Sequence, residues 1–532
     1  MVEWVIGKGL QQLSKNVMPT ELVTFASSQQ AAFEVETTAA ERKNTGHYGT
    51  PAVVANYMAG LFPRIPSEPI RVLDPGAGVG SLSAAVCERM LEQGEPRQLE
   101  FEVWENDPKL ERRLHATMNA CQKALQRAGH TMTYSVRTED FILSNTQKTL
   151  FDDGPQESFH LAILNPPYFK LRKDSPHARA MNHLVHGQPN IYSCFMAATA
   201  DLLLPGGQMV AITPRSYFNG SYFKRFRCWF LERMAARHIH VFESRTETFR
   251  DNAVLQENVI LRAEKRGTPK SIVLTSSYGR EFTQLERCES PYDKVVDNST
   301  GDHIIRVTVN STEREVMNTL DSLPQRFSDL GYEISTGPVV AFRAKEFLRE
   351  NKASDTAPLL WMHNVRPFIT RFPPQNGKPT HIAVSDASKK LLVPAKRYVL
   401  LKRFTSKEEA KRLVAGIVQA DDSYSEWIGL ENHLNYVYRP GEDLDITETV
   451  GLAAYFNSTL VDRYFRAISG NTQVNAREIR NMPAPSLETL RRIGEQIRPS
   501  SEPEARCVEG VVGRELKLPS RLVEQLCKVN NE

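Results

Sequence analysis

The stretch LAILNPPYFK (Leu161–Lys170) sets a carboxamide and an aromatic ring directly behind a run of apolar residues. Proline fixes φ, lacks an N–H and continues neither a strand ladder nor a helix. A buried strand ending at Leu164 must therefore stop and deliver Asn165, Pro166, Pro167 and Tyr168 onto a rigid turn. Such a turn holds a side-chain oxygen, a backbone carbonyl and a ring in fixed positions, which suits a planar group carrying N–H donors. A second stretch, VLDPGAGVGSL (Val72–Leu82), follows a strand and opens a helix. Its glycines Gly76, Gly78 and Gly80 allow a tight turn and close approach to a ligand. A dinucleotide site would need G-x-G-x-x-G, with a pyrophosphate at the helix N-terminus. The spacing here is G-x-G-x-G, and Asp74 precedes it, a carboxylate that repels a pyrophosphate and attracts an ammonium.

Two further strand ends carry acids. In VWENDP, Glu105 stands where a carboxylate can accept both hydroxyls of a ribose. In RTEDF, Asp140 can accept an adenine amino group and Phe141 can pack on the ring. S-adenosylmethionine, with its ammonium, sulfonium and adenosine, meets all three. The plain alternative is a glycine loop without function beside solvated acids. Three successive strand ends bearing Asp74, Glu105 and Asp140 in that order make chance a poor account.

The elements that must position these residues alternate along the chain. From about Thr50 to Glu264, apolar β-like runs (IRVLDPG, LEFEVWEND, TYSVRTEDF, FHLAILNPP, QMVAITP) are separated by helix-like segments. One of those segments has Pro108 near its start and Gly129 after its end. This rhythm predicts an α/β, doubly wound, Rossmann-like sheet with ligands at the carboxyl ends of its strands. It spans residues 1–265; a polar connection is expected at 266–326 and an irregular α+β domain at 327–532. With 532 residues, two or three domains are expected. Hydrophobic residues make up 41% and charged residues 24%, ordinary for a globular protein, and a net charge of +3 leaves any basic surface local. No apolar run reaches the ~18 residues of a membrane span, and the N-terminus lacks a secretory pattern. Seven scattered cysteines without a C-x-x-C pair fit a reducing cytoplasm and argue against a thiolate metal site.

Ahead of these motifs lies GHYGTPAVVANYMAG (Gly46–Gly60). The order TP motif, glycine turn, acidic strand ends, N-P-P-Y and a long C-terminal region resembles the γ-class N6-adenine DNA methyltransferases of type II restriction–modification systems. These are class I, S-adenosylmethionine-dependent enzymes. The resemblance covers about Arg42 to Glu264 and, more loosely, the C-terminal part. It departs from the family at Gly49, which separates the aromatic residue from Thr50. It implies that Thr50 contacts the cofactor carboxylate and that Asp74, Gly76, Gly78, Glu105, Asp140 and Phe141 complete the cofactor site. Asn165 Oδ1 and the Pro166 carbonyl would accept the N–H bonds of an exocyclic amine and free its delocalised lone pair, with no metal required. Tyr168 would stack on the target base, which has to be flipped from the duplex. Within FESRTETFRDNAVLQENVILRAEK, Phe249 is expected as the second aromatic wall, with ordinary core packing as its alternative. Asn190 and Tyr192 are expected behind the site.

In the C-terminal third, KKLLVPAKRYVLLKRFTSKEEAKR (Lys389–Arg412) carries nine basic residues around Tyr398 and Phe404, suited to phosphates or, equally, to a solvated face. Asn471, Gln473, Asn475 and Arg477 are residue types that read base edges. The implied partners are double-stranded DNA and, functionally, a restriction endonuclease, with the protein acting as a cytoplasmic, nucleoid-associated monomer. Length and tail motifs resemble the methylase of an XhoI-type system, which implies the site CTCGAG. Three other readings stay open on the residues alone: a methyltransferase for RNA or protein glutamine, a catalytically degenerate DNA-binding protein, and a fused nuclease. The last is disfavoured by the short segment before Thr50.

Overall fold

The computed structural model describes residues 21–528 apart from 39, 43–47, 64–68, 94, 96, 147–155, 185–189, 243–257, 280–281, 300, 375–376, 406–408, 420–425, 470–472 and 498–502. Two compact units divide between Val309 and Asn310.

The first unit is built on a nine-stranded sheet. Its strands are β1 (Ile70–Pro75), β2 (Gln98–Trp104), β3 (Thr131–Arg137), β4 (Phe159–Leu164), β5 (Leu203–Pro214), β6 (Met234–Phe242), β7 (Asn258–Lys265), β8 (Ser271–Tyr278) and β9 (Thr283–Pro291). They lie in the order β3-β2-β1-β4-β5-β7-β6-β8-β9. Strands β3 to β5 of that row are parallel, and β7 is antiparallel between β5 and β6. This is a doubly wound sheet, as the alternation in the sequence predicts. The stretch 266–326, expected as a connection, carries β8 and β9, which extend this sheet as far as its edge.

Helices cover both faces. Helices α1 (Glu21–Glu36), α2 (Ala52–Gly60), α3 (Ser81–Glu92) and α4 (Pro108–Arg127) share one apolar core with Val72, Phe101, Ile163 and Ile212. On the other face, α5 (Phe141–Thr146), α6 (Pro176–Ala180), α7 (Ile191–Leu202) and α8 (Lys224–Arg233) close over Leu73, Ala162, Leu164 and Leu261. Strands buried from both sides read as continuous apolar runs, which is why β1 and β4 stood out in the sequence. Local chemistry sets the helix ends. Asp107 caps α4 through Lys109 N–H with Pro108 in the first turn, and Asn190 caps α7.

The second unit is α+β. A four-stranded antiparallel sheet joins Glu333–Thr336, Leu434–Tyr438, Tyr398–Lys402 and Ala415–Val418. A five-stranded sheet joins Leu348–Arg349, His381–Ala383, Thr356–Leu360, Trp427–Leu430 and Leu392–Pro394. Helices Ile446–Asn457, Thr459–Ile468 and Leu487–Gln496 follow and share cores with the first sheet and with Ser311–Asp321. No helix among the described residues is long and apolar enough to cross a membrane.

Candidate active site

Strands β1 and β4 are parallel neighbours, with Val72 opposite Leu161 and Leu73 opposite Ala162. Their carboxyl ends therefore release the glycine turn and the N-P-P-Y turn side by side, at the switch point of the sheet where ligands bind in this architecture. A cavity of about 710 Å³ opens there, a size typical of small-molecule sites. Thr50, Gly76, Gly78, Glu105, Asp140, Phe141, Asn165 and Pro167 all line it, so the structure gathers eight of the expected residues in one place.

The Asn165 carboxamide is pinned. Its Nδ2 donates to the Tyr48 carbonyl and to Thr50 Oγ1, each at 3.0 Å. Both amide protons are spent on the N-terminal motif, so the orientation of the group is set and Oδ1 is the end left to accept. That oxygen accepts a hydrogen bond from the Tyr168 hydroxyl. The same hydroxyl lies 3.0 Å from the Ile212 carbonyl. A phenol has one proton and serves one acceptor at a time. Tyr168 can thus pass its proton to Ile212 without moving its ring and leave Asn165 Oδ1 to another donor. The Tyr168 ring itself is 6% exposed and outside the cavity wall. Tyr48 stacks against it at 6.0 Å between centroids, with Tyr192 edge-on at 6.4 Å. Burial raises the Tyr168 phenol far above its ordinary pKa, with Tyr48 adding to the effect, and keeps it protonated. The stacking face expected of Tyr168 is covered here, and the aromatic rings in the wall at this end are Tyr48 and Phe169. Pro166 is buried behind the wall and Pro167 half-buried in it.

On the other side of the cavity the glycine turn uses left-handed backbone at Gly76, Gly78 and Gly80, with φ of 77°, 58° and 86°. Gly76 and Ala77 both donate to the Trp104 carbonyl at 2.8 Å. Glu105 straps the same turn, accepting from Gly78 N–H through Oε2 and from Asp107 N–H through Oε1, each at 2.9 Å. Each carboxylate oxygen keeps further acceptor capacity for hydroxyls. Asp74 sits elsewhere than expected. It is fully buried and absent from the wall, with Oδ2 held by the Ser83 hydroxyl at 2.7 Å and Oδ1 without a hydrogen-bond partner. Burial pushes its pKa up to about 7; Ser83 opposes this and Glu105 adds to it. A buried acceptor that the fold leaves unspent is uncommon, and it fits a cationic ligand nearby.

Asp140 caps α5 through Leu143 N–H at 2.9 Å, and its Oδ2 pairs with His177 Nε2 at 2.7 Å. Burial raises the carboxyl, but the hydrogen bonds from His177 and Leu143 outweigh it and hold the pKa below the ordinary value. Phe141 is stacked on Phe195 at 5.4 Å and meets Trp104 edge-on at 5.4 Å, an aromatic floor for a flat ring. Among the described residues no group of three or more His, Cys, Asp or Glu is placed to hold a metal.

Residues 98–249 match the model of the Eco57I restriction–modification methylase family. Over 462 residues the chain is 34% identical to the type II methyltransferase M.BsuBI of Bacillus subtilis, which covers 86% of this chain and 90% of that protein. Identity to the type II methyltransferase M.PstI of Providencia stuartii is also 34%, over 458 residues and with the same coverage. The chain belongs to this family of type II restriction–modification methyltransferases. Its fold is shared with the type IIL restriction–modification enzyme MmeI, solved in complex with DNA, at a TM-score of 0.53 and 11% identity over 95% of this chain and 73% of that one.

Several parts of this methyltransferase were not legible from motifs. His177, Tyr48 and Phe195 also stand in the cavity wall; His177 lies on the five-residue helix α6, Phe195 inside helix α7 and Tyr48 within the TP motif, where none of them was assigned to the site. Phe249 lies outside the described residues, as does Asn471. Tyr192 is fully buried and bonded to Ser216 Oγ at 2.8 Å, behind Tyr168 as expected. The basic stretch Lys389–Arg412 is not one continuous face. Arg412 is fully buried and bonded to Thr405, Lys411 is held by the Asn457 carbonyl and Glu509, and Arg397 pairs with Asp443. Asn475 is spent as the cap of helix Ala476–Asn481, while Arg477 is exposed and Gln473 half-buried.

Proposed function

We propose that this chain is a site-specific DNA adenine methyltransferase, acting as a monomer on N6 of an adenine flipped from a short double-stranded site and protecting host DNA from a partner endonuclease. The observation that carries the reading is the pinned carboxamide of Asn165 in the wall of a cavity that also holds Glu105, Asp140 and Phe141. The glycine turn, Glu105, Asp140 and Phe141 would hold S-adenosylmethionine, and the unspent Asp74 Oδ1 and the Thr50 hydroxyl suit its amino-acid end. When bound it supplies an electrophilic methyl group. The protein's own part is to present acceptors. Asn165 Oδ1 and the Pro166 carbonyl take the two N–H bonds of the amine, draw nitrogen toward tetrahedral geometry and localise its lone pair. Tyr168 gives up its bond to Asn165 and keeps the one to Ile212, so the acceptor is exposed without a cavity opening behind it. The amine proton leaves to solvent, and the chemistry calls for no metal.

The test is methyl transfer from tritiated S-adenosylmethionine to unmodified plasmid, beside Asn165→Ala and an extract of RNA and protein, with the product nucleosides resolved by mass spectrometry. N6-methyladenine in DNA, lost in Asn165→Ala, is the expected result. Label confined to RNA or to a protein glutamine would overturn the substrate. Mapping the modified positions gives the site. CTCGAG, implied by the resemblance to XhoI-type methylases, is one sequence to score, although the two relatives found carry the names of other systems.

A further inference from the structure

Phe342 is 68% exposed, one of four exposed large apolar side chains among the described residues, with Phe25, Val35 and Tyr222. It does not sit on a loose loop. Val339 and Ala344, on either side of it, are 0% and 1% exposed. Val339 N–H donates to the Leu430 carbonyl at 3.0 Å, and Asn432 N–H returns to the Val339 carbonyl at 2.9 Å. Arg343 and Ala344 N–H both fold back to the Val340 carbonyl. Gly337 lets this turn lie against the neighbouring chain, since a Cβ there would come within 2.3 Å of the Glu431 carbonyl oxygen. The fold therefore spends packing and hydrogen bonds on holding a phenyl ring out into solvent. Its neighbour Arg343 lies over the ring at 5.3 Å.

The turn is anchored where strands Thr356–Leu360 and Trp427–Leu430, paired in parallel, end together. Cations collect at the same end. Lys378 Nζ lies 4.4 Å from the Trp361 ring centroid, and Arg403 bonds the Asn432 carbonyl at 3.0 Å. Lys402 and Arg366 are close enough to repel, and burial followed by that repulsion holds the Lys402 ammonium below its ordinary pKa. Glu409 is an acid that opposes this at Lys402. Glu431 is committed to His433 at 2.6 Å, and the His433 ring meets Phe404 at 4.7 Å. Crowded cations cost folding free energy and are kept where a polyanion meets them.

We infer that Phe342 is a wedge that this second unit inserts into the base stack of double-stranded DNA, with Arg343 and the Lys402–Arg403 strand end on the flanking phosphates. Apolar side chains are used in this way to hold open an unstacked step. The inference rests on the DNA methyltransferase reading above.

The test compares wild type, Phe342→Ala and Phe342→Trp on a duplex carrying the mapped site, and on the same duplex with an abasic position opposite the target adenine. On intact duplex, Phe342→Ala should lose tenfold or more in kcat/KM while Phe342→Trp stays near wild type. On the pre-opened duplex the Phe342→Ala defect should shrink to threefold or less, because less unstacking remains to be driven. Arg343→Ala should instead weaken both substrates alike and lower the salt dependence of binding by about one counterion. Equal activity of Phe342→Ala and wild type on intact duplex would overturn the wedge and leave the methyltransferase reading standing. If wild type labels no DNA at all, both fall together.

Discussion

Two buried imidazoles make a quantitative prediction about acid. Tyr57 of α2 bonds Thr275 Oγ1 at 2.9 Å, His238 Nε2 at 3.2 Å and His240 Nδ1 at 3.3 Å, and so ties the helix that follows Thr50 to β6 and β8. His240 is fully buried and His238 partly so. Burial pushes His238 down to about 3, with Arg262 and Arg287 adding to it, and holds His240 well below its ordinary value, with His238 adding to it. A folded pKa depressed below the unfolded value of about 6.5 means that the unfolded chain takes up the proton first. The stability these groups contribute is present above about pH 6.5 and falls as pH drops toward the folded values. At pH 5 the cost is about 2 kcal/mol for a fully buried histidine, and about 2–4 kcal/mol for the pair. Asp74 acts in the opposite sense, because its folded pKa of about 7 lies above the ordinary carboxylate value of 3.8, so acid stabilises the folded form through it. The wild-type profile alone is therefore blunted, and the difference from a variant carries the information. His238→Gln with His240→Asn keeps hydrogen-bonding atoms in place and removes both titrations. Urea unfolding at pH 7.5 and pH 5 should show the gap between variant and wild type shifting by about 2–4 kcal/mol in favour of the variant at pH 5. A gap that does not change between the two pH values would refute a neutral buried pair.

Other perturbations test the cavity and the second unit. Thr50→Val removes one of two acceptors for Asn165 Nδ2, a neutral hydrogen bond worth about 1 kcal/mol, so kcat should fall about fivefold, with Thr50→Ser close to wild type. An unchanged kcat with only the S-adenosylmethionine KM raised would mean that Thr50 serves the cofactor and does not position the amide. His177→Ala unpairs Asp140 and should raise the dissociation constant for S-adenosylmethionine roughly three- to tenfold by calorimetry, leaving kcat at saturation within twofold. In the second unit, Glu448 is 3% exposed and bonds Arg439, Arg491 and the Tyr332 hydroxyl. Glu448→Ala should cost about 3–5 kcal/mol in urea unfolding while cofactor affinity is unchanged, and a loss under 1 kcal/mol would show the network to be incidental.

What could be read from the sequence was whatever the backbone enforces locally. Proline stops a strand, glycine turns a loop, and an acid at a strand end faces the ligand side of the sheet; Asn165, the glycine turn, Glu105 and Asp140 follow from those rules alone. Side-chain partners follow from tertiary structure instead. The resemblance implied a base-stacking face on Tyr168, but its hydroxyl finds the carbonyl of Ile212 and its ring meets Tyr48, neither of them near it in the chain. Nine basic residues looked alike in Lys389–Arg412, yet the fold buries Arg412 beside Thr405 while leaving Lys389 and Lys390 exposed. Strands β8 and β9 were missed because they extend the sheet to its edge, where Glu286, Arg287 and Glu289 stay exposed and no continuous apolar run forms.

The separation between the TP motif and N-P-P-Y illustrates the limit most directly. Thr50 and Asn165 are 115 residues apart, and four strands, β1 to β4, and their helices lie between them. Read singly, Thr50 is a cofactor contact and Asn165 an acceptor for the amine. Joined at 3.0 Å, they also form one device, because the hydroxyl that accepts from Asn165 Nδ2 still has a proton to donate into the cavity. A cofactor carboxylate taking that proton would leave the hydroxyl oxygen a stronger acceptor and tighten its hold on the amide. On this account filling the cofactor side of the cavity helps to set the acceptor on the substrate side. Thr50→Val should then weaken DNA binding more in the presence of S-adenosylmethionine than in its absence, whereas equal weakening in both would leave the two sites independent.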